Sequence, residues 1–368
     1  MKTKAAVIYE PKSKFIIEEL ELAEPSNGEI LVEVKATGVC RTDEHVITGD
    51  EEHPFPCVLG HESAGIVKQV GPGVEAIKEG DHVITVWMPS CGKCEPCRKG
   101  QGNLCVRGAG LFSGVLFDGK TKFKKNGEDI YHFLNVSGFS EYIIIPEDSA
   151  IVVDKQAPLD KICLLGCAST SGFGAATRTA KVEAASTASI YGFGGIGSGV
   201  LIGLVSSGAD MIIVVDPNDW KEEVAIKMGA THFINPKKVD PVELTLELTN
   251  GVGVDYSFEC WGSPETQAQV YNSLKNRGKG ILLGGCDERI NQIPIQPVSF
   301  PLTERQLMGS LYGSCTPAVE IPKFVSLFMH NKFDLDSVIT KTFKLEEIND
   351  AFDAMRNGEV IRGIIKFD

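Results

Sequence analysis

Four cysteines lie within fifteen residues of one another. Cys91, Cys94, Cys97 and Cys105 follow the spacing C-x2-C-x2-C-x7-C, in a segment without strand or helix periodicity. Four thiolates at this spacing complete a tetrahedral shell around Zn²⁺ without help from elsewhere. An iron–sulfur cluster is the alternative, but the segment is polar and rich in lysine, which favours an exposed lobe and therefore zinc. Four unligated thiols there would oxidise, so the spacing predicts a structural zinc site.

Three further candidate ligands, Cys40, His61 and Cys167, are spread along the chain, 21 and 106 residues apart. Singly, each is typical of a buried thiol or of a hydrogen-bonded histidine at a strand end. Asp43 and Glu62 supply carboxylates beside them, which could orient an imidazole or act as an exchanging ligand. Two cysteines and one histidine are a known ligand set of catalytic zinc. The three residues are therefore a candidate second zinc site.

A glycine-rich turn follows a short apolar strand that ends at Tyr191. Its residues are Gly192, Phe193, Gly194, Gly195, Ile196 and Gly197. In a dinucleotide-binding unit the three spaced glycines allow a tight turn, a close approach to pyrophosphate and close packing of helix on strand. The helix N-terminus offers N–H groups to phosphate. Asp216, 19 residues after Gly197, ends the next strand, where an acid binds ribose hydroxyls and repels a 2′-phosphate. The pattern favours NAD over NADP; a ligand-free βαβ turn is the alternative.

These motifs sit on two kinds of sequence. Residues 1–35 alternate apolar and polar positions, which predicts antiparallel strands, and the first third of the chain is mostly β with glycine and proline turns. Beyond residue 187 strands alternate with helices, which predicts an α/β fold with a doubly wound parallel sheet. We interpret 118–135, polar and lysine-rich, as a surface excursion. We expect the last fifty residues, with a strand around Leu311, to return to the first domain.

Composition limits the possible partners and location. The chain has 368 residues, enough for two domains, with 43% hydrophobic and 23% charged residues, as in soluble globular proteins. No apolar run reaches the ~20 residues of a membrane helix, and the N-terminus lacks a signal-peptide core, so we expect a cytoplasmic protein. A net charge of −13 argues against nucleic-acid or anionic-membrane surfaces.

Eleven cysteines in such a chain indicate metal sites rather than disulfides. Six of them are the candidate zinc ligands named above. Core packing is the expected role of those that sit singly among apolar residues: Cys57, Cys163, Cys260, Cys286 and Cys315.

The order of the motifs resembles one known family. The run GHESAG at 60–65, the turn GPGV at 71–74, the four-cysteine lobe, LLGCASTSGFGA around Cys167 and GFGGIG are together similar to zinc-containing medium-chain alcohol dehydrogenases. The resemblance implies a Rossmann doubly wound parallel sheet plus a mostly β GroES-like catalytic domain. The catalytic domain is expected at 1–168 and 312–368, with its zinc lobe at 91–105. The NAD-binding Rossmann domain is expected at 169–311.

The resemblance also implies roles for individual residues. Cys40, His61 and Cys167 would bind the catalytic zinc with Glu62 behind it, and the four lobe cysteines would bind a structural zinc, two ions per subunit. Arg41 and Arg362 would meet the cofactor pyrophosphate; Asp216 and Lys221 would meet the adenosine ribose. The implied reaction is hydride transfer from an alcohol of lowered pKa to nicotinamide. Thr42 and His45, bridged by the cofactor ribose, would pass the proton outward; a capping hydroxyl and a surface imidazole are the alternatives.

The sequence indicates the substrate class less clearly than the metal ligands and the cofactor. The C-terminal run from GSLYGSCTP to IRGII and the stretch AGLFSGVLFDG resemble aryl and benzyl alcohol dehydrogenases and nicotinoproteins, which implies a primary aromatic or apolar alcohol. The DIYHFLN run resembles glutathione-dependent formaldehyde dehydrogenases, which act on a thiol adduct. That branch places an arginine where this chain has Ala109, with Arg107 two residues earlier. Trp87 is either a pocket wall, by the same resemblance, or a core residue.

Two positions depart from the family pattern. Ser171 stands where a threonine is common, and Glu183-Ala184-Ala185 lacks the usual Pro-Gly before the nucleotide-binding strand. Family members are usually dimers or tetramers, so we expect a homodimer or homotetramer. A non-catalytic relative that binds zinc and NAD is the alternative of a different class, although an intact ligand set and relay argue against it.

Overall fold

The alternating N-terminal segment forms an antiparallel hairpin, as expected, in a computed structural model that describes residues 1–285 and 289–367. The strands, in chain order, are β1 (Lys2–Ile8), β2 (Ile16–Leu22), β3 (Glu29–Gly38), β4 (Cys57–Val58), β5 (Ser63–Val70), β6 (His82–Thr85), β7 (Phe123–Lys125), β8 (Glu128–His132), β9 (Tyr142–Pro146), β10 (Ala150–Val153), β11 (Thr187–Tyr191), β12 (Met211–Val215), β13 (His232–Ile234), β14 (Val254–Glu259), β15 (Leu274–Leu282), β16 (Gln306–Gly309), β17 (Ile339–Phe343) and β18 (Arg362–Lys366).

Most of the helices are short. In chain order they are α1 (Arg41–Thr48), α2 (Glu95–Arg98), α3 (Leu159–Ile162), α4 (Ala168–Gly174), α5 (Gly195–Ser207), α6 (Lys221–Lys227), α7 (Pro241–Leu248), α8 (Pro264–Asn272), α9 (Ser299–Thr303), α10 (Pro317–Met329) and α11 (Ile348–Arg356). A π-helical turn, Ala175–Ala180, continues α4. Among the described residues even the longest helices, α5 and α10, have only 13 residues, and none meets the length and hydropathy of a membrane span.

The chain divides into two units, Met1–Cys167 with Thr316–Asp368, and Ala168–Cys315. In the described part of the first unit, β1, β2, β7, β8 and β4 close a barrel. A second sheet runs β10-β6-β5-β3-β18-β17, with β9 also pairing with β3. The C-terminal strand β18 pairs with β3, so the last fifty residues do complete the first unit. This mostly β unit is the GroES-like part of the fold.

The second unit is a parallel sheet of the order β13-β12-β11-β14-β15-β16. Chain order reverses between β11 and β14, and ligands of such sheets bind beyond the strand ends at this point. Buried side chains from strands and helices form its core: Tyr191, Ile213, Val215, Ile234, Val254, Val270, Tyr271 and Leu274. The expected Rossmann doubly wound sheet is confirmed.

One expectation about the first unit is wrong. The lysine-rich stretch 118–135 is no surface excursion, because it forms β7 and β8 of the barrel. Phe123 and Ile130 face each other across this hairpin and are buried. Lys122 is also buried, 2.8 Å from carboxylate oxygens of both Glu29 and Asp118. Lysines on the outer face of this two-stranded ribbon give the stretch a polar composition, so the apolar residues that alternate with them on the inner face are not apparent from composition.

Smaller differences concern single elements. The strand expected around Leu311 is β16, which ends at Gly309, and a 3-10 turn follows at Tyr312–Ser314. Of the cysteines assigned to core packing, Cys57, Cys163 and Cys315 are fully buried, Cys260 is half-buried, and Cys286 lies outside the described residues. None of the ten cysteines in the described ranges forms a disulfide.

Candidate active site and metal centres

The register between β3 and β5 brings two of the candidate ligands together. Thr37 pairs with Ser63, so Cys40, just after β3, and His61, just before β5, lie at the same end of this antiparallel pair. The backbone N–H of Gly38 donates to the carbonyl of Glu62 at 2.9 Å. Neighbouring strand ends therefore place residues that are 21 apart in sequence side by side.

A close backbone contact positions the third ligand. A Cβ on Gly166 would lie 2.6 Å from the carbonyl oxygen of Thr85 and 3.4 Å from the Cα of Glu62. Only glycine lets this segment approach β5 and β6 so closely, and Cys167 follows it directly. The possible ligand atoms of Cys40, His61, Glu62 and Cys167 all lie within 4.8 Å of one another, and the four residues are buried.

Asp43 orients the imidazole of this group. Its carboxylate oxygen Oδ1 lies 3.2 Å from His61 Nδ1 and accepts a hydrogen bond from the Gly60 N–H at 2.8 Å. The other ring nitrogen, His61 Nε2, is buried and has no hydrogen-bond partner. Such a nitrogen is costly to bury unless something binds it. A metal ion on Nε2, with the carboxylate on Nδ1, is the arrangement usual for metal-ligating histidines.

Charges in this group favour a cation. The hydrogen bond from Cys167 holds the pKa of Cys40 well below its usual range against the effect of burial, and His61 and Arg362 lower it further. The same hydrogen bond and burial raise the pKa of Cys167. Burial alone would lower the pKa of His61, but Asp43 and Cys40 raise it. Thiolate and carboxylates thus concentrate negative charge in a buried site, and soft sulfur ligands suit Zn²⁺ rather than Mg²⁺ or Ca²⁺.

Arg362 pairs with Glu62 through a buried hydrogen-bonded ion pair. The two residues are 300 apart in sequence, and β18 carries the arginine to this place by pairing with β3. A Cβ on Gly38 would collide with the Glu62 carboxylate and the guanidinium, so glycine leaves room for the pair. The guanidinium is 4% exposed. Its expected contact with a pyrophosphate stays a prediction, as does that of Arg41, which lies exposed at the start of α1.

Helix α1 carries both expected relay residues. Thr42 Oγ1 lies 3.7 Å from Cys40 Sγ, and His45 follows three residues later, on the same face of the helix. His45 is half-buried, with Nδ1 3.5 Å from the Asp50 carboxylate. Asp50 also accepts a hydrogen bond from Thr48 Oγ1 at 2.7 Å. Asp50 was not singled out from the sequence, although its position just beyond the helix end, five residues after His45, was a visible signal.

The four lobe cysteines form a second group whose sulfur atoms all lie within 4.8 Å. Cys94 is the N-cap residue of helix α2. Backbone N–H groups of Cys97 and Val106 lower the pKa of Cys94 to about 6, while burial raises that of Cys105 to about 12. N–H groups directed at sulfur favour thiolates, which are the form that binds zinc.

The glycine-rich turn has the backbone that its sequence predicts. Gly192 has φ +98°, a conformation that favours glycine, and a Cβ on Gly197 would collide with the carbonyl of Gly192. Gly194 precedes α5, which begins at Gly195 and Ile196, and no side chain caps this helix. Its first N–H groups are therefore available to an anion.

Asp216 and Lys221 form a buried ion pair at 2.9 Å that holds this turn. The Asp216 carboxylate accepts from the Phe193 N–H at 2.9 Å, and Lys221 Nζ donates to the Phe193 carbonyl at 3.0 Å. The sequence indicated both residues for ribose binding but not this contact with the turn.

Phe133 adds an aromatic contact to the metal group. Its ring is buried and lies edge-to-face on His61, 5.8 Å between centroids. Trp87 is half-buried, and its role as a pocket wall or a core residue stays a prediction.

Two family models match the chain. The model described as "Alcohol dehydrogenase GroES-like domain" matches residues 26–155, and the model described as "Zinc-binding dehydrogenase" matches residues 195–330. The first covers strands β3 to β10 and both metal groups except Cys167, and the second covers α5 and strands β12 to β16.

Solved structures agree over the full length. An alcohol dehydrogenase zinc-binding domain protein from Burkholderia ambifaria is 33% identical with a TM-score of 0.94, and the match covers 100% of this chain and 99% of that one. Benzyl alcohol dehydrogenase from Acinetobacter calcoaceticus is 32% identical with a TM-score of 0.94 over 100% of both chains. A zinc-binding dehydrogenase from Sinorhizobium meliloti 1021, bound to NADP, is 25% identical with a TM-score of 0.80 over 100% of both chains. The chain therefore belongs to the zinc-binding, medium-chain alcohol dehydrogenase family.

Proposed function

We propose that this protein oxidises a primary alcohol, aromatic or otherwise apolar, to the aldehyde with NAD, or catalyses the reverse reaction. The observation that carries the proposal is the convergence of Cys40, His61, Glu62 and Cys167, with the unpartnered nitrogen of His61 among them. These residues fit a catalytic zinc site, because two thiolates and one imidazole hold the ion and leave a position for substrate. When bound there, Zn²⁺ supplies Lewis-acid chemistry that lowers the pKa of an alcohol.

The residues around the ligands have supporting roles. The Asp43 carboxylate fixes the His61 tautomer by accepting at Nδ1, which leaves Nε2 for the metal. Arg362 compensates the charge of Glu62, and this lets a carboxylate stay ionised in a buried site. Phe133 closes one side of His61 and keeps water from it.

Thr42 and His45 carry the proton away from the alcohol. The Thr42 hydroxyl, 3.7 Å from Cys40 Sγ, would accept it, and His45, with Asp50 at its Nδ1, would release it to solvent. An imidazole suits this step because one ring nitrogen can accept a proton while the other donates one.

We propose NAD as the cofactor of the second unit. Support comes from the turn Gly192–Gly197, the uncapped start of α5 and Asp216, whose negative charge disfavours a 2′-phosphate. Lys221 assists at the ribose, and Arg41 and Arg362 assist at the pyrophosphate. One relative of 25% identity is bound to NADP, so both cofactors belong in any assay.

The lobe cysteines Cys91, Cys94, Cys97 and Cys105 hold a second zinc ion with a structural role, because four protein ligands leave no position for substrate. Support for an aromatic alcohol comes from the likeness to benzyl alcohol dehydrogenase. We propose a cytoplasmic location, in which cysteines that form no disulfide, like those of the described residues, are the rule. Edge strand β16, which pairs with β15, offers an edge for a homodimer or homotetramer.

The test is turnover of benzyl alcohol by the purified protein with NAD or NADP, followed by absorbance of the reduced cofactor. We expect reduction of NAD with benzyl alcohol and a lower rate with NADP. Turnover of formaldehyde only when glutathione is added would replace the proposal with the thiol-adduct reaction. No cofactor reduction with primary alcohols, secondary alcohols or this adduct would support a non-catalytic relative. Arg107, the nearest arginine to the position of the adduct-binding one, is already paired with Asp148 and stacked on Phe117, which weighs against the adduct reaction.

A further inference from the structure

Thr316 is the N-cap residue of helix α10, but its hydroxyl does not cap that helix. A threonine at this position usually accepts a hydrogen bond from a backbone N–H of the first helical turn. Here Thr316 Oγ1 accepts instead from the Gly102 N–H at 3.1 Å and donates to the Gly100 carbonyl at 3.1 Å. The side chain therefore binds a loop 214 residues earlier in the chain rather than its own helix.

The loop that Thr316 binds lies in the zinc lobe, between the third and fourth lobe cysteines. The Gly100 N–H donates to the Cys97 carbonyl at 3.0 Å, and the Cys105 N–H donates to the Gly102 carbonyl at 3.1 Å. The two glycines bonded to Thr316 are thus bonded in turn to the two cysteines. A Cβ on Gly102 would lie 2.7 Å from Thr316 Cγ2, so glycine allows this close approach.

Thr316 is also the residue at which the chain re-enters the first unit, since the second unit ends one residue earlier. Two residues just before this crossing, Tyr312 and Ser314, have φ of +53° and +54°. Residues other than glycine keep such angles only where their surroundings hold them in place. We call residues 312–316 the return segment.

The part of the return segment that belongs to the second unit packs against α4. A Cβ on Gly313 would lie 2.8 Å from the Cα of Gly174, and a Cβ on Gly174 would collide with Cys315 Sγ. Glycine at both positions is what permits this approach. Helix α4 begins at Ala168, directly after the candidate zinc ligand Cys167.

These contacts connect the two metal groups. The lobe binds Thr316, the return segment packs against α4, and α4 follows Cys167 directly. Each contact lies within one unit, and peptide bonds join the units. We propose that Thr316 is a positioning residue that links the lobe to the return segment, so that zinc in the lobe also steadies the helix that begins after Cys167. The inference rests on the proposed function for zinc in the lobe, but not for alcohol oxidation.

Such a link acts in both directions, because a coupling between two sites changes both equilibria by the same factor. Zinc in the lobe should protect the return segment and α4 from local opening. The Thr316 hydroxyl should in turn slow the loss of zinc from the lobe. Local opening is what amide hydrogen exchange measures, so both halves of the link can be tested separately.

The first experiment measures zinc release into excess chelator from the zinc-loaded wild type, Thr316→Val and Thr316→Ser. Valine has the shape of threonine without the hydroxyl, whereas serine keeps the hydroxyl. We expect Thr316→Val to release the lobe zinc about fivefold faster, because two hydrogen bonds are lost, and Thr316→Ser to match the wild type. Thr121→Val, which removes a hydroxyl bonded to Asp129 at 2.9 Å, is the matched control and should also match it. Equal release from Thr316→Val and the wild type overturns the inference.

The second experiment follows amide hydrogen exchange by mass spectrometry in the same proteins and in Cys94→Ser, in which the lobe loses its zinc. We expect exchange about fivefold faster in peptides covering 310–318 and 168–174 in both Thr316→Val and Cys94→Ser, and wild-type exchange in Thr316→Ser. Faster exchange confined to 91–105 would show a role in the lobe alone and overturn the link to α4.

The two experiments separate this inference from the proposed function. A wild type without zinc in the lobe would remove the structural zinc from the proposed function, and this inference with it. Zinc in the lobe together with unchanged exchange in Thr316→Val, or with equal changes in Thr316→Val and Thr316→Ser, overturns the inference alone. Neither readout depends on whether any alcohol is oxidised.

Discussion

At the scale of single residues, Asp216 combines a structural role in the glycine-rich turn with a proposed role in cofactor binding, and its position in the sequence indicated only the second. Its carboxylate accepts hydrogen bonds from the Phe193 N–H and from Lys221 Nζ, both at 2.9 Å. Its other oxygen accepts from the backbone and side-chain nitrogens of Asn218 at 3.0 Å. Asp216 thus holds the turn in place and is also the residue that we propose as the ribose ligand and as the cause of a preference for NAD.

Replacing Asp216 by serine tests both tasks. We expect the ratio of NADP to NAD in kcat/KM to rise at least tenfold, because the charge that repels a 2′-phosphate is removed. We also expect a loss of about 1–3 kcal/mol in the free energy of unfolding, since the Phe193 N–H and the buried Lys221 lose their acceptor. Asp219→Ser, at an exposed acid on the same loop, should change neither value. An unchanged cofactor ratio in Asp216→Ser would remove Asp216 from cofactor selection.

Whether a contact between two residues could be predicted from the sequence depends on how far apart they lie along the chain. The lobe cysteines and the glycine-rich turn are local patterns, and spacing alone indicated both. Asp43 was expected to act on a neighbouring imidazole because it lies three residues after Cys40. The pairing of Arg362 with Glu62 spans 300 residues, and only the pairing of β18 with β3 creates it. No local pattern could have shown it.

At the scale of elements, the turn before β11 shows a strained residue. Ala185 has φ +60°, in the left-handed region that favours glycine, and donates its N–H to the Gly208 carbonyl at 2.8 Å. The sequence marked this turn as different because Glu183-Ala184-Ala185 lacks the family's Pro-Gly. The backbone nevertheless keeps the conformation of a glycine at position 185.

Ala185→Gly should therefore stabilise the protein. Holding alanine in the left-handed conformation costs about 1–2 kcal/mol. Glycine avoids this cost, but its greater conformational entropy in the unfolded chain offsets about 0.4–1 kcal/mol of the gain. We expect a net gain of about 0.5–1 kcal/mol in the free energy of unfolding, measured by urea denaturation. Ala184→Gly is the matched control, since Ala184 is equally exposed but lies outside the left-handed region, and it should be destabilising. A loss of stability in Ala185→Gly would contradict the left-handed backbone conformation of Ala185.

The hairpin β7–β8 shows where pattern reasoning failed and what it missed. His132 ends β8 and is buried; its Nε2 accepts from the Lys122 N–H at 3.0 Å, and its Nδ1 lies 3.0 Å from Ser137 Oγ. Charged residues on the solvent face of two short strands gave 118–135 the composition of a loop. A buried histidine and a buried lysine inside it are features that composition does not reveal.

Acid should destabilise the fold through His132. Burial, with a smaller contribution from Lys122, lowers its pKa to about 3. Above the ordinary pKa of about 6.5 both folded and unfolded chains hold it neutral, so it adds no pH dependence. Between about pH 6.5 and 3 the unfolded chain binds a proton that the folded one does not, which costs about 1.4 kcal/mol per pH unit.

The measurement is the free energy of unfolding in urea at pH 7.0 and pH 5.0 for the wild type, His132→Gln and the exposed-residue control His330→Gln. We expect His132→Gln to be less stable at pH 7 but to lose less stability on going to pH 5, while His330→Gln loses as much as the wild type. An equal loss in His132→Gln would mean that His132 is not held neutral in the fold.

At the scale of the whole molecule, the chemistry depends on three distant parts of the chain that meet in one unit. Cys40 follows β3, His61 precedes β5 and Cys167 follows the close approach of Gly166 to β5 and β6. The fold class and the ligand set were expected from the order of motifs, by resemblance to a family. The meeting of the ligands could not be derived from spacing, because it requires the β3–β5 register and a backbone contact that only glycine permits.

The most direct test of the central claim is the zinc content of the purified protein by native mass spectrometry, joined to NAD reduction with benzyl alcohol. We predict two zinc ions per subunit in the wild type and in Cys163→Ala, a buried cysteine near the Glu62–Arg362 pair that is not in the ligand group. Cys40→Ser should keep one zinc and lose turnover by at least a thousandfold, and Cys94→Ser should lose the other zinc. Two zinc ions and full turnover in Cys40→Ser would contradict the account.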